Sequence, residues 1–304
     1  MNRRDFLTFS AMAAAVAARP GLLLSEEAPQ FKTKPKKAWL GTLPDEQMME
    51  KIMSHGFMGM EVQGNASIED AIKAKKVADR LGFTFHSLMG GNTEERLQLA
   101  AALGADTVLL VPGAIGGVPM PQAWEFEIEF DEKTNLLKKV VAGDNTPYQA
   151  YIDRHNQEMQ AARKRIERLI PSAVEKGIVI AIENVWNNMW VKPNFAANFI
   201  LSFDHPNVKA YVDLGNHMKY ADSREWFQYL GTNIRRIHLK DFKLNPDGRG
   251  GRWCRLGEGS VDWALMRREM ERIGYDSWCT VEPEGGIQMS MEFQSAAADK
   301  ILNP

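Results

Sequence analysis

Cysteine is scarce in this chain. Only Cys254 and Cys279 occur among 304 residues, and two distant thiols make no disulfide framework. Positive charge is not in excess either. The net charge is -2, so the basic footprint of a nucleic-acid partner is missing. No segment reaches the ~20 consecutive apolar residues of a membrane-spanning helix, and no stable membrane anchor is expected. No G-x-G-x-x-G follows the first predicted strand, which disfavours a dinucleotide-binding open sheet.

The first thirty residues stand apart. Arg3 and Arg4 precede Phe6 and Leu7, and an alanine-rich apolar run follows until Arg19 and Pro20 interrupt it. This pattern predicts a twin-arginine export signal and linker over 1–30, hence a periplasmic protein. A basic tail with a short amphipathic helix is the plainer alternative.

From residue 36 to 302 short apolar runs alternate strictly with longer amphipathic ones. Helix signals punctuate them, such as Ser67 before and Gly82 after "IEDAIKAKKVADRL". Eight strand–helix pairs over ~250 residues predict a closed (β/α)8 barrel. One segment breaks the alternation. Within 114–147, "WEFEIEFDEKTNLLKKVV" alternates apolar and charged residues around "DEKTN", which predicts a β-hairpin inserted after the fourth strand. A lid, a contact with a second copy in a homo-oligomer, and a surface decoration are all open to it.

Barrels of this kind carry chemistry at the C-terminal ends of their strands. The fifth predicted strand ends in Glu183 ("IAIENVWN"), the sixth in Asp213 ("AYVDLGN"), the seventh carries His238 ("RIHLKD") and the eighth Glu282 ("CTVEPEGG"). Side chains two apart share a face of a strand. With Ile182, Val212, Ile237 and Val281 facing the helices, the three acids and the imidazole face the barrel axis, as does Lys240. Taken singly, each would be a helix cap, an ion-pair partner or a satisfied core residue. Four consecutive strand ends with matching parity instead aim three carboxylates at one volume, where they repel unless a cation sits among them. Three oxygens and one nitrogen suit one divalent ion, Mn²⁺ first, with Mg²⁺, Co²⁺ and Zn²⁺ as alternatives.

Together "IAIENVWN", "VDLGN", "IHLKD", "LGEGSVDW" and "VEPEGG" resemble the sugar phosphate isomerase/epimerase family, the xylose isomerase-like TIM barrels. The resemblance implies that Glu183, Asp213, His238 and Glu282 ligate the metal, and that Glu183 and Glu282 are also the acid/base pair. It implies substrate contacts from His86, at the end of the third strand, and from Glu61 and Gln63 on the second. The chain departs from the pattern after Asp213, where Asn216 stands in place of the family's histidine and His217 follows one residue later. Trp186 is a candidate for stacking on a sugar face, Lys240 for holding an oxygen, and Arg252, with Arg249 and Arg255, for a substrate contact from the loop after strand seven.

The implied reaction on a small carbohydrate is isomerisation or epimerisation by proton abstraction next to a carbonyl, through an enediolate. An exported enzyme would meet non-phosphorylated sugars or keto-sugars. Two alternatives accompany it. One is a metal-dependent lyase or dehydratase on a 3-keto-glycoside, and the remoter one is an AP endonuclease-like nuclease. The nuclease would need further histidines, and only six are present.

Overall fold

The computed structural model describes residues 30–304 apart from Gly285, and the expected export signal lies outside the described residues. Residues Phe31–Pro304 form one compact unit. Eight strands close into a parallel barrel: β1 (Lys36–Gly41), β2 (Gly59–Val62), β3 (Thr84–Met89), β4 (Thr107–Leu110), β7 (Val179–Glu183), β8 (Val208–Asp213), β9 (Ile234–Leu239) and β12 (Trp278–Val281). The order around the barrel is β1-β12-β9-β8-β7-β4-β3-β2. A helix follows each strand: α1 (Glu46–Ser54), α2 (Ile68–Leu81), α3 (Glu94–Leu103), α4 (Gln149–Glu175), α5 (Pro193–Leu201), α6 (Ser223–Leu230), α7 (Trp263–Arg272) and α8 (Met291–Leu302). None of the described helices is long and apolar enough to cross a membrane.

Local chemistry explains where the helices start. The side chains of Asp45, Ser67, Thr93, Asp222, Asp262 and Ser290 each accept a first-turn backbone N–H of α1, α2, α3, α6, α7 and α8. Each such cap is worth about 1 kcal/mol. At the far end of α2, Gly82 takes the left-handed conformation (φ 71°) that ends a helix without steric cost.

The expected alternation along the strands is present. Ile180, Ile182, Val212, Ile237, Leu239 and Val281 join the large apolar layer between barrel and helices. Leu109, Ala181 and Tyr211 form a separate small cluster. This inner set comes from the opposite faces of the same strands, so the barrel axis is filled by a different set of residues from its outer wall.

Two hairpins decorate the barrel. The expected one pairs β5 (Glu129–Asp131) with β6 (Leu136–Lys139). It lies along the flank made by α4 and α5. Asn156 donates to the Leu137 carbonyl (3.1 Å), Asn198 donates to the Glu132 carbonyl (3.0 Å), and Phe130 packs on Phe195. These contacts hold the hairpin against that flank. The second hairpin occupies the segment expected to be a Gly- and Arg-rich loop. There β10 (Asp241–Leu244) pairs antiparallel with β11 (Gly251–Cys254), placing Phe242 opposite Trp253. The alternation in "DFKL" and "GRWC" carries the signal, in runs of only four residues.

The Asp241 carboxylate fixes the chain that follows this hairpin. It accepts N–H groups from Gly257 (2.9 Å), Gly259 (3.0 Å) and the Trp263 indole (2.9 Å). A Cβ at Gly259 would fall 1.8 Å from Asp241 Oδ1, so only glycine allows the backbone this approach.

Candidate metal centre

Four consecutive barrel strands, β7, β8, β9 and β12, deliver the site. Glu183 and Asp213 are the last residues of β7 and β8, His238 is the fifth of six in β9, and Glu282 follows β12 directly. The backbone N–H of Glu282 still donates to Leu239 O (3.2 Å), so the barrel's hydrogen bonding holds it in line. One donor atom from each of Glu183, Asp213, His238 and Glu282 lies within 4.8 Å of the other three. His238 Nδ1 is 3.2 Å from Glu183 Oε1, 2.8 Å from Glu282 Oε2 and 3.8 Å from Asp213 Oδ2.

Asp213 shows how such a group is aimed. Its Oδ1 accepts the backbone N–H groups of Gly215 and Asn216, each at 2.8 Å, and so ties down its own turn. Asn184 clamps the same strand end, donating to Asp213 O (2.9 Å) and accepting from Asp213 N (2.6 Å). Oδ2 is left facing the cluster.

The donor set fits a divalent cation by more than residue type. Asp213 Oδ2 and Glu282 Oε2 are buried, within ion-pair distance of cations, and without a hydrogen bond of acceptable geometry. Proximity without alignment indicates oxygens converging on a point rather than on the available N–H bonds. A small cation at that point would satisfy both.

The electrostatics are uneven. Burial, and then the Glu282 charge, push Glu183 above the usual carboxylate range. Burial likewise pushes Asp213 up to about 7 against the pull of Lys240. For Glu282 burial also opposes charge, yet His238 and Lys240 win and hold it well below the usual range. One volume thus contains carboxyls driven in opposite directions, the arrangement that separates acid from base. Lys240 completes the centre, with Nζ 3.3 Å from Asp213 Oδ2, 3.1 Å from Glu282 Oε2 and 3.2 Å from Glu284 Oε2. Burial works against its charge, but Asp213 and Glu282 raise its pKa, so the ammonium stays charged.

An aromatic wall stands beside Lys240. The Trp253 ring lies 5.3 Å from Lys240 Nζ and 4.7 Å from the Trp186 ring, and Phe242 meets both indoles edge-on. Trp186 donates from Nε1 to the Asn216 carbonyl and is 39% exposed. Sequence reasoning missed Trp253, Phe242 and Glu284. The first two depended on the unrecognised hairpin.

The remaining expected substrate residues separate. Asn216 is buried and accepts from Lys240 Nζ (3.3 Å). Gln63 is exposed beyond the end of β2. Glu61 does face inward, but it is fully buried and lies 2.7 Å from His238 Nε2, against the back of the imidazole. His86 is not at a strand end. It sits within β3, stacked on Trp278 and 3.1 Å from Thr280 Oγ1, below the carboxylates. His217 turns outward and stacks on Trp226 of α6, where burial drops its pKa to about 3. Arg252 is exposed, and because Trp253 takes the face of β11 toward the site, alternation turns Arg252 away from it.

Among the described residues no other group of three or more His, Cys, Asp or Glu side chains could hold an ion. The further histidines of a multi-metal nuclease therefore do not join this centre.

No curated protein matches the sequence. Solved structures do match in fold. A 3-keto-D-glucoside 4-epimerase from E. coli aligns with TM-score 0.63 at 14% identity, over 88% of this chain and 99% of that one. A probable 3-DHS dehydratase from Bacillus anthracis aligns with TM-score 0.60 at 15% identity, over 88% and 99%. A xylose isomerase-like TIM barrel protein from Mycobacterium smegmatis in complex with magnesium aligns with TM-score 0.58 at 18% identity, over 89% and 96%. The model of the family described as xylose isomerase-like TIM barrel matches residues 49–298. That span runs from α1 into α8 and takes in all four strand ends of the centre, and the chain belongs to this family.

Proposed function

We propose that this protein is a divalent-metal-dependent sugar isomerase or epimerase that moves a proton on a carbon next to a carbonyl. The observation that carries the reading is the set of four donor atoms, from four adjacent strand ends, within 4.8 Å of one another. The magnesium held by one structural relative and the epimerase and dehydratase activities named for two others support it.

Glu183, Asp213, His238 and Glu282 would hold the ion, which supplies Lewis acidity toward the substrate's carbonyl and hydroxyl oxygens. Glu183 and Glu282 serve as the acid/base pair. Burial pushes Glu183 up, which suits the acid, while Glu282, held low by His238 and Lys240, suits the proton acceptor. Lys240 keeps its charge and clamps a developing oxygen anion beside Glu282. Asn216 accepts a hydrogen bond from that ammonium.

The substrate class we infer is a non-phosphorylated sugar or keto-sugar, in keeping with the export signal expected from Arg3 and Arg4. A lyase acting on a 3-keto-glycoside is the second reading. The aromatic wall of Trp186 and Trp253 outside the carboxylates favours it, since indoles suit a second ring. Incubation with Mn²⁺ and a panel of free and 3-keto sugars in deuterated water tests both. Deuterium entering one carbon with the skeleton intact marks the isomerase or epimerase, and release of an aglycone marks the lyase. A metal-loaded enzyme that does neither with any sugar contradicts both.

A further inference from the structure

Beneath the metal centre the barrel axis carries polar side chains that the proposed chemistry does not use. Glu61 on β2 and Tyr211 on β8 are both fully buried. In the closed order of strands β2 lies directly across the barrel from β8, so only long side chains meet there. They do: Tyr211 donates its hydroxyl hydrogen to Glu61 Oε2 at 2.6 Å. The same oxygen lies 2.7 Å from His238 Nε2. Thr280 Oγ1 is 3.3 Å from the Tyr211 hydroxyl and 3.1 Å from His86 Nε2, which continues the row away from the centre.

An ionised carboxylate only accepts hydrogen bonds. His238 Nε2 faces Glu61, and the other ring nitrogen, Nδ1, faces Glu183, Asp213 and Glu282. With a cation among those three carboxylates Nδ1 would turn its lone pair to the ion, and the one N–H left on the ring would be that on Nε2, donated to Glu61. We propose that Glu61, steadied by Tyr211, is a positioning residue. It selects the tautomer of His238 and locks the ring so that Nδ1 is presented to a divalent cation. Glu61 thus acts through His238 and does not contact substrate. A second observation agrees with this role. Glu61 Oε1 is buried without a hydrogen-bond partner, a cost that an arrangement serving packing alone would avoid.

The proposal rests on the metal reading above, and its test separates the two. Full-length wild type, Glu61→Gln and Tyr211→Phe are stripped of metal and titrated with Mn²⁺ by calorimetry. The visible spectrum of the Co²⁺-loaded forms is recorded, and the metal-free forms are melted to establish folding. Loss of the second partner of a metal-bound histidine typically weakens metal binding ~10–100-fold. That loss is expected for Glu61→Gln, with a change in the Co²⁺ bands, and a loss of a few-fold is expected for Tyr211→Phe. A folded Glu61→Gln protein that binds Mn²⁺ like wild type with an unchanged Co²⁺ spectrum would overturn the proposal. If Glu61→Gln fails to fold, Tyr211→Phe decides, since it removes one hydroxyl group, and wild-type affinity and spectrum in that variant overturn it. A wild-type protein that takes up neither ion defeats the metal reading itself.

Discussion

The two ends of the barrel both bury charge, and they do it in opposite ways. At the N-terminal end Arg236 on β9 is 2% exposed and both of its terminal guanidinium nitrogens are paired. Its guanidinium pairs with Asp106 Oδ1, donates to Ser277 Oγ (2.7 Å) and reaches the carbonyls of Arg235 and His86. Asp106 in turn accepts from Arg235 (2.7 Å) and Thr107 (2.7 Å). At the C-terminal end Glu183, Asp213 and Glu282 crowd together, and two of their oxygens lack aligned partners. Matched charges close the lower end and serve stability. The unmatched ones above tolerate repulsion in order to hold something else.

Substitution should expose this contrast most sharply at the upper end. Glu183→Gln and Glu282→Gln each remove a negative charge from the cluster and an acid/base group. Turnover should fall about 10³-fold, while the metal-free protein melts at the same temperature or higher. A lower melting temperature with activity retained would reverse the contrast.

Arg236→Ala should do the opposite. Loss of a buried, multiply bonded cation costs about 3 kcal/mol or more, read by denaturant unfolding, with Mn²⁺ affinity of the folded protein unchanged. A drop in affinity would show that the two ends are not independent.

Acid probes the layer outside both ends. His155 on α4 lies 3.1 Å from Met189 O, and burial lowers its pKa to about 4, while that of His217 falls to about 3. Both values lie below the unfolded value of about 6.5, so the unfolded chain takes up protons first as pH falls. Stability should be full above pH 6.5 and decline toward pH 4 for His155 and pH 3 for His217, by roughly 3 and 5 kcal/mol respectively at the limit. Thermal melts across that range check it, and a flat profile would contradict the burial of both rings.

The smallest effect belongs to a pair of neighbours. Arg252→Ala should leave turnover within about 2-fold, because its side chain faces away from the centre, whereas Trp253→Ala removes the ring beside Lys240 and should raise KM. Equal effects would mean that the β10–β11 hairpin is turned differently.

Much of the centre is legible in the sequence because parity along a strand is a local property. Each strand end in "IAIE", "AYVD", "RIHL" and "CTVE" states which residues face the helices, and the acids and His238 follow from the alternation. The same rule places Glu61 inward correctly but cannot name its partner. His217 and Arg252 look suitable by type. A one-residue offset after Asp213 and an unread hairpin turn both away.

The sequence by itself determined the alternation of strands and helices, their caps, and the inward parity of Glu183, Asp213, His238 and Glu282. Only the closed barrel decided that Glu61 and Tyr211, 150 positions apart, meet behind His238, and that His86 sits below the carboxylates. Side-chain direction repeats every two residues and can be read along one strand. Contacts across a barrel depend on closure and on the stagger of strands distant in the chain, and no single stretch of sequence contains either.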